Sequence, residues 1–275
     1  MKNVDEKTVA GFGDEWSRFQ QDELTDGELL TLFEQYFGVF PFRDLPEGAK
    51  GADFGCGSGR WAKLVAPKVG SLACLDASAD ALAVARTNLA GLANVTFHHA
   101  SVSDAPIEDG SLDFAYSLGV LHHVPDTEGA IAEIAKKIKP GGLFLVYLYY
   151  ALDGRPAWYQ ELWKASDIAR RRIAKLPHGA RYALSQALAA SVYWPLARSA
   201  RALDRVGVLP PSWPLAYYRD RSFYTMRTDA LDRFGTRLEK RYTKQQVSEM
   251  LTKAGFTDLR FSEGMPRWVC VARKP

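Results

Sequence analysis

Hydrophobic positions along the middle of the chain follow two alternating rhythms. Short apolar runs, each closed by an acid or a turn, stand between stretches with helical spacing. The first run ends at Asp53 and opens into Phe54-Gly55-Cys56-Gly57-Ser58-Gly59. The second, 71–75, ends at Asp76, after which Ser78 suits an N-cap for a helix over 81–89. Strands are predicted over 94–98, 111–117 and 143–150, and a helix over 126–138 that stops at Lys139-Pro140-Gly141-Gly142. Strands alternating with helices in this way predict a parallel sheet covered on both faces. Toward the end, Tyr242-Thr243 opens a helix through Leu251, Ala254-Gly255-Phe256 follows, and strands are predicted near 259–261 and 268–271.

Two places in this pattern carry chemistry. Glycine has no Cβ to block close approach, so the turn between Asp53 and Arg60 can lie directly against a small molecule. Asp53 and the loop amides then offer an acceptor and donors, a set that suits an amino-acid zwitterion. An acid at the end of the second strand, Asp76, is placed to take both hydroxyls of a ribose. Nucleotide dehydrogenases use a similar loop, so the loop alone does not separate the two classes.

The order of the signals does. Asp53 to Gly59, Leu75-Asp76-Ala77-Ser78, the stretch Leu121-His122-His123-Val124, the Lys-Pro-Gly-Gly turn and the Ala-Gly-Phe tail together resemble a class I S-adenosylmethionine-dependent methyltransferase. The resemblance covers about 48–150 and 242–275. It implies an α/β fold: a Rossmann-like, seven-stranded, mostly parallel sheet with helices on both faces and its last strand antiparallel. It implies S-adenosylmethionine as cofactor, S-adenosylhomocysteine as product, and no metal. Asp53, Gly55, Cys56, Gly57 and Gly59 would cradle the methionine portion, Asp76 would hold the ribose, and Ala77 would lie beside the adenine. Ser101, next to Val102, stands where relatives carry an adenine-contacting acid, and Asp104 is the nearest carboxylate. Ser117 and Leu118 would pass under the cofactor's amino acid. Lys-Pro-Gly-Gly and Ala-Gly-Phe have no counterpart in a Rossmann dehydrogenase.

Charge is uneven. Between Ala151 and Arg241, 17 Lys and Arg face 8 Asp and Glu, an excess of +9, while the whole chain is only +3, so the remainder is −6. This stretch is also an insertion relative to the family, predicted as a helical, aromatic-rich cap after the fifth strand with helices over 157–176 and 178–203. Insertions there stand over the edge where substrate arrives. The domain reading is an N-terminal helical arm or lid (1–47), a cofactor-binding core (48–150 and 242–275) and a substrate cap (151–241). Cap aromatics could equally form its own small core, with the arginines as a solvated face. A small-molecule acceptor is favoured over nucleic acid, with an RNA methyltransferase or a non-catalytic S-adenosylmethionine binder as alternatives, and membrane contact through Arg170-Arg171-Arg172 ranked last. The cap surface also suits a homodimer.

In the arm, bulky residues spaced three or four apart mark Phe12, Trp16 and Phe19, and a helix is predicted from Thr25 to Phe37 with Glu28 as capping-box partner. Trp16 or Phe19 is expected to close the cofactor pocket. His122 and His123 follow the fourth strand and suit a base near neutral pH, His122 being expected to face the site. Tyr147, Tyr149, Tyr150 and Arg155, at the exit of the fifth strand, are the substrate-touching candidates. The three cysteines, Cys56, Cys74 and Cys270, have no paired spacing, which argues against disulfides and zinc. A charged start without an apolar core and the lack of a run of roughly 20 apolar residues predict a cytoplasmic protein with no transmembrane segment.

Overall fold

Seven strands pair in the order β3-β2-β1-β4-β5-β7-β6. In the computed structural model, which describes residues 1–21 and 23–275, they alternate with helices. The order along the chain begins α1 (Glu6–Arg18), α2 (Asp26–Phe37), β1 (Lys50–Phe54), α3 (Ala62–Val65), β2 (Ser71–Asp76), α4 (Ala79–Asn88) and β3 (Val95–His99). It continues through β4 (Leu112–Leu118), α5 (Thr127–Lys137), β5 (Ile138–Tyr147), α6 (Ala157–Ile173), α7 (His178–Leu188), α8 (Trp194–Arg205) and α9 (Phe223–Gly235). It ends with α10 (Lys244–Lys253), β6 (Thr257–Phe261) and β7 (Val269–Arg273). Strands β1 to β5 pair in parallel, while β7 lies antiparallel between β5 and β6. This is the Rossmann-like sheet that the family resemblance implied.

The chain groups into two units. The first holds Met1–Gln21, Leu29–Ala151 and Leu238–Pro275, and so contains the whole sheet; the second holds Asp22–Glu28 and Leu152–Arg237. Within the first, the central strands read as continuous apolar runs because both faces are covered. Phe54, Phe114, Phe144 and Leu145 are fully buried. Gly51 of β1 is dictated by its neighbour: a Cβ there would sit 2.0 Å from the Phe114 ring on β4. β1 lies mid-sheet, with β2 on one side and β4 on the other. The connections leaving its carboxyl end therefore diverge, which opens a crevice at that edge.

Lys139-Pro140-Gly141-Gly142 is a bulge rather than a connection. β5 already pairs at Ile138 with Leu112, and the regular register resumes at Leu143 with Phe114. The four residues between are accommodated at φ +81° for Gly141, whose amide bonds to the Lys274 carbonyl. The tail begins with a full capping box at Thr243 and Gln246 on α10.

The second unit has a core of its own, Ala189, Tyr193, Ala197, Met226, Ala230 and Phe234. The single helix expected over 178–203 is α7 and α8 joined by a π turn, Ala189–Tyr193. Pro195 supplies the reason, since it lacks the N–H that a straight helix would direct at residue 191. Thr25 Oγ1 accepts the Glu28 amide, as a cap should, but the Glu28 carboxylate accepts instead from the Ser222 amide and the Thr225 hydroxyl. Much of the basic excess is turned inward. Arg170 and Arg181 donate to the Thr236 and Gly235 carbonyls at the end of α9, where a helix presents unsatisfied acceptors. Arg198 donates to the Arg219 and Arg221 carbonyls while lying 4.0 Å over the Trp194 ring. Asp167 gathers Arg170 at 2.6 Å, Arg171 at 2.8 Å and Arg233 at 3.6 Å.

Candidate active site

The loop after β1 is pinned from both ends. The Gly55 and Cys56 amides both donate to the Leu75 carbonyl at the end of β2, at 2.8 and 2.9 Å. Gly55 has φ +85°, and a Cβ there would lie 2.5 Å from the Val120 methyls. Gly57, at φ +54°, would drive a Cβ to 3.0 Å from the Trp16 indole. One helix and two strand ends therefore close on the bare backbone of Gly55 and Gly57, at a backbone conformation that suits glycine. Gly59 packs inward against Leu89 instead.

This loop walls an open cavity. Its other walls come from the end of β2 and its exit (Leu75, Asp76, Ala77), the β3 exit (Ala100, Ser101, Val102) and the β4 exit from Leu118 to Val120. The Asp76 carboxylate is already held: Oδ2 accepts the Gly57 amide at 2.9 Å and Oδ1 the Ser78 amide at 2.8 Å. Burial pushes its pKa up, against the pull of those amides. An acid fixed in this way on the wall can present its remaining lone pairs to a diol. Asp53 is only 1% exposed and does not reach the wall. Its Oδ2 is buried without a partner, and burial raises its pKa well above the ordinary carboxylate value. The Tyr116 hydroxyl beside it pulls the other way without completing a hydrogen bond of good geometry, and Asp76 adds to the rise. Cys56 lines the cavity as a buried thiol whose pKa is pushed up by Cys74 and by burial.

The remaining sequence-predicted residues divide. Ala77, Ser101, Val102 and Leu118 lie on the cavity wall; Gly59, Asp104 and Ser117 do not. Asp104 accepts instead from the Lys2 amide and the Ser101 hydroxyl, and the Lys2 contact foremost holds its pKa low. Ser117 is fully buried and donates to the Phe54 carbonyl. Of the two arm aromatics, Trp16 is on the wall and Phe19 is in the core at 1% exposure. Helix α1 covers this side with Thr8, Val9, Phe12 and Trp16, led by Asn3, Val4 and Asp5. Those partners of Trp16 went unassigned in the sequence, although 9, 12 and 16 recur at helical spacing.

The histidine pair resolves against expectation. His123, not His122, reaches the cavity. His122 is fully buried, its ring stacked 3.8 Å from Tyr149, and neither ring nitrogen has a partner. Burial, then the neighbouring His123 and Arg241, drives its pKa well below the usual value, so the ring is neutral. A buried cation in apolar surroundings would be costly, and the short turn 121–123 lets only one of two adjacent rings face outward. His123 Nδ1 donates to the Leu238 carbonyl at 2.6 Å. That bond fixes the tautomer, so the neutral ring carries its lone pair on Nε2. Phe12 meets the same ring edge-on at 5.0 Å. Tyr147 and Tyr149 pack around His122, Tyr150 pairs with Tyr242, and none of them lines this cavity. Arg155 belongs to the second unit, where it donates to the Pro211 carbonyl and stacks on Tyr159. Among the described residues no three His, Cys, Asp or Glu side chains gather as a metal site, and no helix is long and apolar enough to cross a membrane.

A sheet of this order, with a glycine loop after β1 and a held acid after β2, is the class I methyltransferase fold. Comparison with known proteins agrees. Residues 52–146 match the family model described as a methyltransferase domain. An uncharacterized methyltransferase of Mycobacterium tuberculosis is 30% identical over 129 residues, 46% of this chain and 65% of that protein. The chain thus spans somewhat under two thirds of that relative's length. A demethylmenaquinone methyltransferase of Staphylococcus aureus is 34% identical over 101 residues, covering 35% of this chain and 42% of that one. An S-adenosylmethionine-dependent methyltransferase of Methanosarcina mazei superposes with a TM-score of 0.52 over 86% of this chain and 98% of its own, at 18% identity, a likeness of fold. Residues 52–146 thus resemble a methyltransferase domain, and the first unit has the class I methyltransferase fold.

Proposed function

We propose that the chain transfers the methyl group of S-adenosylmethionine to an oxygen, nitrogen or carbon of a small-molecule acceptor. The observation that carries this is the cavity wall itself: bare glycine loop, prealigned Asp76 and a tautomer-fixed His123 in one enclosure. The residues suit the cofactor. Asp76 would take the ribose hydroxyls, and Ala77, Ser101 and Val102 would flank the base. When bound, the sulfonium supplies an already activated methyl group. The protein therefore has to align and to exclude water more than to activate. Trp16 and Phe12 on α1 serve as the water-excluding lid, and His123 takes a proton from a hydroxyl or ammonium acceptor.

The second unit is read as the acceptor-binding cap, inserted where the chain leaves the carboxyl end of β5. Its inward arginines weigh against a nucleic-acid surface, and the staphylococcal relative, named for a quinone precursor, favours a small acceptor here as well. The test is release of S-adenosylhomocysteine across an acceptor panel. Turnover with a small phenol, amine or quinone precursor supports the proposal. Methylation confined to RNA would replace it.

A further inference from the structure

The run Arg170-Arg171-Arg172 on α6 is left only partly used by the roles above. Arg170 is turned inward, whereas Arg171 reaches Asp167 with 72% of its side chain still exposed, and Arg172 is exposed. The outer side of α6 is apolar as well as basic. Trp158, Leu162 and Ile168 are 53, 52 and 58% exposed there, and Ala165 and Ala169 are exposed too. Trp158, Leu162, Ala165 and Ala169 follow one another at spacings of four, three and four, which places them on a single stripe. Ile168, Lys164, Arg171 and Arg172 lie along one flank of that stripe, and exposed Lys175 follows the helix. Acid is scarce: of the two carboxylates of α6, Asp167 is buried among arginines and Glu161 is paired with Lys164 at 2.7 Å. Single exposed apolar residues are ordinary on a protein surface, but a continuous stripe with a charged border marks an interaction face.

We propose that this side of α6 docks on an anionic lipid bilayer, with the helix lying in the plane of the interface. Trp158, Leu162 and Ile168 enter the boundary between headgroups and acyl chains, a depth that suits an indole. Lys164, Arg171, Arg172 and Lys175 meet the lipid phosphates, their long stems lying along the apolar surface. No described helix is long and apolar enough to cross a membrane, so α6 lies on the surface. Charge decides among partners. A second copy docked face to face would set basic flank near basic flank, with Glu161 the single exposed acid of the helix. A nucleic acid offers phosphates but no hydrocarbon in which to bury Leu162 and Ile168. An anionic bilayer answers both the stripe and its flank.

The experiment is co-sedimentation of the full chain with vesicles of phosphatidylcholine, either alone or mixed equally with phosphatidylglycerol. Tryptophan quenching by a bromine-labelled phosphatidylcholine in the mixed vesicles reads insertion separately. The variants are Arg172→Gln with Lys175→Gln, Leu162→Gln with Ile168→Gln, and Trp158→Phe, all at exposed positions, with thermal melts to show that each is folded. The wild type is expected to bind the mixed vesicles, to leave phosphatidylcholine alone largely unbound, and to release as salt rises. The charge pair is expected to weaken binding about 10- to 30-fold and the apolar pair about tenfold or more. Part of the tryptophan emission is expected to be quenched in the wild type and less of it in Trp158→Phe. No binding to the mixed vesicles, equal binding to both kinds, or variants that bind and quench like the wild type would overturn the proposal. A dimer that dissociates in the Leu162→Gln, Ile168→Gln protein would assign the face to a second copy instead. RNA binding lost in the charge pair, without vesicle binding, would assign it to nucleic acid; either result also overturns the proposal.

Discussion

At the scale of single residues, the site is a set of polar groups held in anticipation of a ligand. Asp53 carries the clearest consequence. Its folded pKa lies well above the ordinary 3.8, and that of Asp76 is raised too, with burial the main cause for each. Below the ordinary value both forms of the chain are protonated; above it the unfolded carboxyls ionise first, so folding must take up protons or bury charge, and stability is lost as pH rises through the higher folded values. The ligand-free protein is therefore expected to melt lower as pH climbs from about 4 to 7, and Asp53→Asn, which cannot ionise, to lose less over that span. Identical slopes in thermal melts of the two proteins would contradict this. His123→Ala is expected to lower kcat about 10²- to 10⁴-fold for an acceptor that must lose a proton, with cofactor affinity nearly unchanged. That Asp76, Gly55 and Gly57 meet at one wall was legible in the sequence because their spacing is local; Gly59, which packs on Leu89 instead, was not. Which histidine faces the cavity was not, because that depends on Tyr149, Arg241 and Leu238, distant in sequence, closing around the turn.

At the scale of elements, the alternating periods gave the sheet and its order of helices, while elements without a strong period stayed hidden. Helix α9 was missed: its buried face sets Tyr224, Met226, Leu231 and Phe234 among Thr225, Thr228 and Ala230, and these polar and small residues dilute the apolar stripe. The Lys-Pro-Gly-Gly bulge was read as a break because glycine and proline signal turns whether or not pairing continues past them. Helix α1 carries the proposed lid. Trp16 fills the space above Gly57, and Gly13 comes so close to Ser78 that a Cβ would meet its hydroxyl at 2.8 Å. Trp16→Ala is expected to weaken cofactor binding about tenfold or more, and bound cofactor to slow hydrogen exchange along Glu6–Arg18. Unchanged affinity and exchange would remove the lid role.

At the scale of the molecule, the chain groups into two units with separate cores, and charge composition alone does not say where the second unit's arginines point. Of its +9 excess, Arg170, Arg181 and Arg198 are spent on carbonyls inside the unit. Burial pushes the Asp167 pKa up, but Arg170 and Arg171 outweigh it and hold the carboxyl below its ordinary value. Its stabilising contribution is present above 3.8 and lost as pH falls through the lowered folded value. Asp167→Ala strands Arg170 without its carboxylate and is expected to cost about 3–5 kcal/mol in denaturant unfolding of the second unit. A loss under about 1 kcal/mol would mean solvent screens the cluster. The central claim concerns the first unit and is tested most directly by titrating the folded protein with S-adenosylmethionine, with nicotinamide dinucleotide as the control. The account predicts saturable, roughly micromolar binding of S-adenosylmethionine alone. Binding of the dinucleotide instead, or of neither, would contradict it.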